Sequence, residues 1–262
     1  MPDAPTGPWL SIITVVKDDP QGFARTAGSI AGQDLTGVEW VVIDGSANAA
    51  VIPGILAQQA PLNATYSWHR PQGVYPAMNA GLEKASGAYV FFANAGDTFY
   101  DDSSVTDIHD VVSRDSPVWL FGQTAFVSSS GVTVTPPPLD YAKEKALNFS
   151  RGRFPPHQGT VASLPALLSF GGFDTKYRVS ADYAMFLKLS LLADPAMTTG
   201  TIATFHAGGL SSKSWRESVR DMHRARQEIL RPTGVRALRE RLETASQITR
   251  MTLARLIGRV KD

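Results

Sequence analysis

Three aspartates stand at positions where a chain of alternating strands and helices does chemistry. Asp97 closes the stretch Ala88-Tyr-Val-Phe-Phe-Ala-Asn-Ala-Gly-Asp97. Tyr89 to Phe92 is a continuous apolar run rich in strand formers, which reads as a strand buried on both faces. Asn94, Ala95, Gly96 and Asp97 follow it, so a carboxylate lies just beyond the strand's C-terminal end, where open α/β sheets take their ligands. Such an oxygen site can hold a divalent cation, and the cation can bridge a diphosphate. The same four residues are equally good turn formers for backbone reasons alone. Asp44 ends a second apolar run, Glu39 to Ile43, before Gly45-Ser46. Asp182 opens the apolar helix expected over Ala181 to Leu192; it is a candidate base and also an ordinary first-turn acid favoured by the helix dipole. Two histidines join these acids. His157 precedes a strand of small residues, and His206 ends a strand before Ala-Gly-Gly. A lone histidine is often a structural hydrogen-bonder, and neutral imidazole is also a competent Mn²⁺ ligand.

The elements that must position these groups alternate. Leu10 to Val16 is a buried strand by composition, followed by Asp19 as N-cap and Pro20 as first helical residue of a helix to Gln33. Glu39 to Ile43, Ala64 to Trp68 and Tyr89 to Phe92 are the next strands. Helices around Val51 to Gln59 and Gly73 to Ser86 lie between them. This order predicts βαβ units, a parallel sheet and right-handed crossovers. Beyond Asp97 the pattern gives a helix from Ser103 or Ser104 through Val112. Strands follow at Pro117 to Phe121 and Thr124 to Val127, with a hairpin turn through Ser128 and Gly131 into Val132 to Thr135. Pro136 to Pro138 is a stiff connector. A helix begins near Pro165, and Thr201 to Phe205 is a last strand. From Ser214 the chain is helical, with a break at Pro232-Thr-Gly234. The expectation is one α/β domain over residues 1–212 with a helical C-terminal extension over 213–262.

Composition narrows the chemistry. There is no cysteine, so disulfides, thiolate nucleophiles and thiolate metal sites are excluded. Met1 to Pro8 shows no secretory signal, and no run approaches the ~18 apolar residues of a membrane span. The expected location is the cytoplasm, or the periphery of the inner face of the membrane. The net charge of +1 conceals an asymmetry: residues 213–262 hold 13 Lys/Arg and 6 Asp/Glu, the remainder 12 and 18. The basic stretch lacks the interleaved aromatics of a nucleic-acid platform, so no nucleic-acid partner is expected.

Taken together, Ser11-Ile-Ile-Thr-Val, Val42-Ile-Asp44-Gly-Ser46, Gly73-Val-Tyr75, Ala77-Met-Asn79 with Gly81, Ala85-Ser-Gly87 and Asn94-Ala-Gly-Asp97 resemble the inverting family 2 glycosyltransferases of GT-A fold. His157-Gln158, Gly171-Gly-Phe-Asp174, Ala181-Asp182-Tyr183 and Gly208-Gly-Leu-Ser211 extend the likeness over roughly residues 9–212. The resemblance implies a Rossmann-like nucleotide-binding half, a mixed central sheet and a nucleotide-sugar donor such as a UDP- or dTDP-sugar. It further implies Mg²⁺ or Mn²⁺ as cofactor and a glycan or lipid-linked acceptor. Carried over by position, Thr14 and Val16 line the nucleotide pocket and Asp44 accepts from the base. Arg70, Tyr75, Asn79, Asn94, Ala95 and Gly96 shape the donor site. Asp97 and His206 face metal, with the diphosphate as the other partner for His206. His157 meets acceptor or diphosphate, and Asp182 is the general base.

Three positions depart from the family pattern: Pro71, Pro76 and Ala95 stand where relatives often carry Asp. They motivate a second reading, a GT-A domain that binds a sugar nucleotide or a partner without transferring sugar. A nucleotidyltransferase would want glycines in the loop after the first strand, which Lys17-Asp-Asp-Pro20 lacks. In the tail, Ile248, Met251, Leu256 and Val260 fall on one helical side with Arg250, Arg255 and Arg259 nearby. Such a face suits an anionic membrane surface; it suits equally the domain itself or a second copy in a homo-oligomer.

Overall fold

A computed structural model describes residues 7–59, 64–128, 130–149, 152–206 and 214–256, with the backbone alone at 254–256. Strand β1 (Leu10–Val16) is buried at every residue, as a strand covered on both faces must be. It pairs in parallel with β2 (Val38–Asp44) on one side and β4 (Tyr89–Phe92) on the other, and β3 (Ala64–Trp68) lies parallel outside β2. The parallel half expected from the first hundred residues is thus formed. Helices α1 (Pro20–Ala31), α2 (Val51–Gln59) and α3 (Val74–Lys84) make its crossovers. The Asp19 cap is present: Gly22 N–H donates to Asp19 Oδ1 at 2.8 Å.

The second half turns the sheet mixed, as the resemblance implies. In chain order come β5 (Thr98–Phe99), α4 (Ser104–Asp115), β6 (Trp119–Val127), β7 (Thr133–Val134) and α5 (Tyr141–Ala146). They are followed by a 3₁₀ turn (His157–Gly159), β8 (Thr160–Ser163), α6 (Leu164–Ser169), α7 (Ala181–Leu192) and β9 (Ala196–His206). The strand order is β3-β2-β1-β4-β8-β6-β9-β5, with β7 on β6. Strand β8 runs antiparallel to β4 and β6, β9 is parallel to β6, and β5 is antiparallel to β9.

Two expectations change here. The runs Pro117–Phe121 and Thr124–Val127 are one strand, not two. Gly122-Gln123 stays in β6 with a shifted register against β9, and a β-carbon at Gly122 would overlap Thr198 Oγ1. The glycine marks close approach of two strands rather than a break. Strand β9 also begins earlier than Thr201, because Ala196 and Met197 pair with Leu120 and Phe121. Strand β5 and helix α5 were not expected; elements so short carry no periodicity.

Alternation along β1 splits the core. Ile13 and Val15 face a cluster with α3, α6 and α7, while Leu10, Ile12 and Val16 face one with α1, α2 and α4. Helix α8 (Trp215–Leu230) extends the first cluster through Val219, Met222 and Ala225, and α9 (Gly234–Leu256) packs on it. Arg226, 1% exposed, joins three helices: it donates to Glu240 Oε2 at 2.6 Å, Thr244 Oγ1 at 3.1 Å and Tyr183 Oη at 3.1 Å. Of the alternatives open for the tail face, the domain itself takes it: Ile248 and Met251 pack on the core. The Arg255 and Leu256 side chains, Val260 and Arg259 lie outside what the structure describes, as does Gly208-Gly-Leu-Ser211.

Helix α3 lies so close to β1 that a β-carbon at Gly81 would overlap the branched side chain of Ile13. Gly81→Ala is therefore expected to destabilise the protein by about 1–3 kcal/mol through overpacking. Urea unfolding checks this, and an unchanged midpoint would show that α3 shifts freely.

Candidate active site

The chain leaves β1 toward β2 and β3, then returns to β4 on β1's other side. This reversal opens a crevice beyond the C-terminal strand ends. A cleft of about 540 Å³ occupies it. Its walls come from the ends of β1 (Val15 to Lys17), β2 (Ile43 to Gly45) and β4 (Asn94, Ala95), and from the His69–Gly73 segment leading into α3. Gly73, at φ 124°, starts that helix in a conformation that favours glycine, and no side chain caps its first N–H groups. Those groups and the exposed Lys17 and Arg70 offer positive partners to an anion in a cleft that Asp19 and Asp44 also line. Neither cation has a hydrogen bond or ion pair among the described residues.

Of the expected donor residues, Val16, Asp44, Arg70, Asn94 and Ala95 line this cleft, together with Pro71 and Pro76. Asp44 is fully buried; its Oδ1 accepts from Ser46 N–H at 2.7 Å and its Oδ2 from the Tyr66 hydroxyl at 2.9 Å. Burial first, then the Asp44 carboxylate, pushes the Tyr66 phenol up to about 12. Asp44 is thus oriented and keeps lone pairs for a further donor. Thr14 does not line the cleft: it is buried beneath it and accepts from Trp40 Nε1 at 2.9 Å. Asn79 is also placed elsewhere. Its amide clasps Phe173 at both ends, N–H to Oδ1 at 2.8 Å and Nδ2 to carbonyl at 2.9 Å, which anchors the Gly171–Asp174 turn. Met78 is in the core.

The Asn94–Asp97 turn is pinned from α1. The buried Thr26 Oγ1 lies 2.7 Å from the Asp97 carbonyl and accepts from Gly96 N–H at 3.0 Å. Gly96 itself sits at φ 100°. Asp97 is 6% exposed, and burial raises its carboxyl to about 7 against the lowering charge of His157. In the same turn the Asn94 Oδ1 is buried with no partner. A buried carboxylate and an orphaned amide oxygen are hard donors suited to Mg²⁺ or Mn²⁺. Among the described residues no three His, Asp or Glu gather as a complete metal cage. The fit is therefore to a cation completed by substrate phosphates and water, the usual Mg²⁺ arrangement. His206 lies past the Thr98–Thr204 pair, toward this turn. Burial and the charge of Arg25 lower its pKa, and Arg25 borders Gly96. A guanidinium beside it disfavours a second cation and favours an anion.

Asp182, on the first turn of α7, is held on three sides. Its Oδ1 accepts from its neighbour Tyr183 N–H at 2.8 Å and lies 2.9 Å from the Tyr75 hydroxyl. That hydroxyl, 2.8 Å from the Val179 carbonyl as well, shares its one proton between the two acceptors. Burial, then Asp182, raises the Tyr75 pKa well above the usual phenol range, so it stays a donor. Tyr75 lies under Asp182 rather than on the cleft wall. Asp182 Oδ2 faces His157 Nδ1 at 3.3 Å, and His157 Nε2 faces Asn94 Nδ2 at 3.1 Å. Burial opposes the imidazolium, but the hydrogen bond and charge of Asp182 and the charge of Asp97 outweigh it and raise the His157 pKa. The imidazole therefore bridges Asp182 and the cleft wall, which no spacing in the sequence announces. Sequence reasoning also missed Arg25 and Thr26, mid-helix residues that meet a turn some seventy positions away.

No protein-family model matches the chain. An uncharacterized glycosyltransferase of Mycobacterium tuberculosis is 28% identical over 211 residues, 79% of this chain and 78% of its own. A PGL/p-HBAD biosynthesis glycosyltransferase of Mycobacterium bovis is 25% identical over 219 residues, 78% and 80% of the two chains. Among solved structures, Staphylococcus aureus TarS 1–349 superposes with a TM-score of 0.66 at 16% identity, covering 91% of this chain and 70% of TarS 1–349. The mannosyltransferase PcManGT of Pyrobaculum calidifontis, in complex with GDP-Man and Mn²⁺, gives 0.65 at 15%, covering 97% and 78%. The fold is GT-A.

Asp97 offers a test that needs no substrate. Its raised pKa means that the folded state binds a proton more tightly than the unfolded chain, so ionising it costs stability as pH rises from about 4 to 7. In chelator, Asp97→Asn is expected to be more stable than the wild type by up to about 4 kcal/mol at pH 8, with little difference below pH 4. Urea unfolding across pH measures it; a difference flat in pH would mean that Asp97 is not strained by burial.

Proposed function

We propose that this GT-A-type glycosyltransferase is an inverting enzyme, moving a sugar from a nucleoside-diphosphate donor, UDP- or dTDP-linked, to a hydroxyl of a glycan or glycolipid. The observation that carries the reading is the His157 bridge. One imidazole ring and two hydrogen bonds connect Asp182 to Asn94 on the cleft wall. A fixed carboxylate thus stands one residue away from a cleft suited to a diphosphate. The donor class is supported by fold neighbours that hold UDP-GlcNAc or GDP-Man with Mn²⁺.

In this reading Asp44 accepts an N–H of the base, and Lys17 and Arg70 meet the diphosphate. Asn94 and Asp97 hold Mg²⁺ or Mn²⁺, which when bound supplies charge neutralisation at the leaving group. Arg25 and His206 add positive or neutral donors on the far side of the same turn. The acceptor hydroxyl attacks the anomeric carbon from the face opposite the diphosphate. Its O–H bond breaks, and the proton goes to a free lone pair of Asp182. The new C–O bond forms as the old one breaks, and the diphosphate leaves with the electron pair. Tyr75 and His157 keep Asp182 from turning away.

The second reading, binding without transfer, is favoured by the carboxylate-poor wall: Pro71, Pro76 and Ala95 all line the cleft. One series separates the two. Thermal shifts with UDP, dTDP, GDP and CMP, each with and without Mn²⁺, are expected to show one nucleotide class stabilising the protein in a metal-dependent way. Sugar-nucleotide turnover should then fall by about 10²–10⁴ in Asp182→Asn while the thermal shift persists. Shifts without turnover in the wild type would establish the binding reading, and turnover unchanged in Asp182→Asn would remove it from the base role.

A further inference from the structure

Helix α9 has two apolar faces. One is internal, with Glu240, Thr244 and Gln247 buried and Ile248 and Met251 on the core. The other is bare. Val235, Leu238, Leu242 and Leu253 are 85%, 58%, 61% and 54% exposed. They follow at intervals of three, four and eleven residues, all close to whole helical turns, so they form one outward stripe. At 3.6 residues per turn, Arg236, Arg239 and Arg250 flank one margin and Arg241 the other, and all four are exposed. The acids nearby are occupied: Glu240 is paired with Arg226, and Glu243 is engaged. The stripe continues over the edge of the domain, where Val235, Arg236 and Arg239 border a hollow with the exposed Leu191 of α7.

We propose that this stripe is a docking surface for an anionic lipid bilayer. The leucines and valine enter the boundary between headgroups and acyl chains, while the arginines at the margins extend to the phosphates. The whole 213–262 segment, net +7, adds long-range attraction. Charge decides against a second copy of this chain. A twofold pairing along the stripe is isologous, and it sets arginine margins of one helix against arginine margins of the other in either orientation. A bilayer of anionic lipids offers the opposite sign. Among the described residues no helix is long and apolar enough to cross the membrane, so the contact is interfacial. It is independent of the reaction proposed above.

The test is flotation of the full chain with vesicles of phosphatidylcholine mixed with phosphatidylglycerol, and with phosphatidylcholine alone. The wild type is expected to float with the anionic vesicles and to bind the neutral ones at least about tenfold more weakly. Two variants remove the two halves of the surface: Leu238→Ser with Leu242→Ser, and Arg239→Gln with Arg241→Gln and Arg250→Gln. All five side chains point to solvent, so the melting temperatures should hold while each variant loses about tenfold or more of its vesicle binding. About 1 M salt, which shortens the screening length to about 3 Å, should weaken the wild type as the arginine variant does. A wild type that stays with the unbound fraction, or variants that float as it does, would overturn the proposal. So would a wild-type dimer in sedimentation that the leucine variant alone dissociates, since the stripe would then be a contact between copies.

Discussion

The two halves of the candidate site depend on one imidazole. His157 sits in a 3₁₀ turn between the parallel half of the sheet and the antiparallel half, with Asn94 of β4's turn on one nitrogen and Asp182 of α7 on the other. Neither partner lies near it in sequence. The contact is possible because β8 runs back along β4, which returns the chain before β8 to the same sheet edge that β4 leaves. A neutral ring bound at both nitrogens donates from Nδ1 to the carboxylate and accepts the Asn94 amide at Nε2. That choice turns the Asn94 oxygen away, and it is buried without a hydrogen-bond partner among the described residues. The imidazole thus fixes the orientation of the Asp182 carboxylate and, through the amide, that of the Asn94 oxygen in the adjoining turn.

The same edge concentrates unfavourable burial. Asp97 is held in a site that disfavours its charge, and a buried carboxylate without a counterion is unstable until something positive arrives. Strongly perturbed carboxyls cluster at functional sites, which is what makes this turn a candidate. Thr26 keeps the turn in place despite it, through two hydrogen bonds across the α1 interface. The charge balance also gives a physical account of Pro71, Pro76 and Ala95. Lys17 and Arg70 line the cleft and have no hydrogen bond or ion pair among the described residues, so both are available to an anion. A diphosphate would be drawn by those cations and would bring oxygen ligands of its own, so a cation there needs fewer acids from the protein.

What the sequence disclosed follows from range. Strands β1 to β4, the Asp19 cap, the Gly73 start and the break at Pro232 are local signals of period, cap or turn, and each is found where expected. The positions of Asp44, Asn94, Asp97 and Asp182 at element ends were also legible, because an element's end is a local property. The partners were not. Tyr75 and Asn79 fall within a motif that resembles a donor-site piece, yet their polar atoms are directed at Asp182 and at Phe173, more than ninety residues on. Thr14 illustrates the strand period: its neighbours Val15 and Val16 reach the cleft at the strand's end, whereas Thr14 is one step too deep. A helix with two apolar stripes is ambiguous by nature. Whether Ile248 and Met251 face the domain or its surroundings stays open in the sequence, because no one-dimensional pattern says which stripe the core will take.

Arg226 decides that choice. Its guanidinium is buried among Glu240, Thr244 and Tyr183, and it can be satisfied in only one rotation of α9. Turning the helix by half a turn would leave a buried cation unpaired, which is costly. The pair therefore contributes specificity more than net stability. It selects which stripe packs and which faces outward, and it does so through the hydroxyl of Tyr183, the residue next to Asp182. The packing of the C-terminal helices and the seat of the candidate base are in this way set by one hydrogen-bonded cluster.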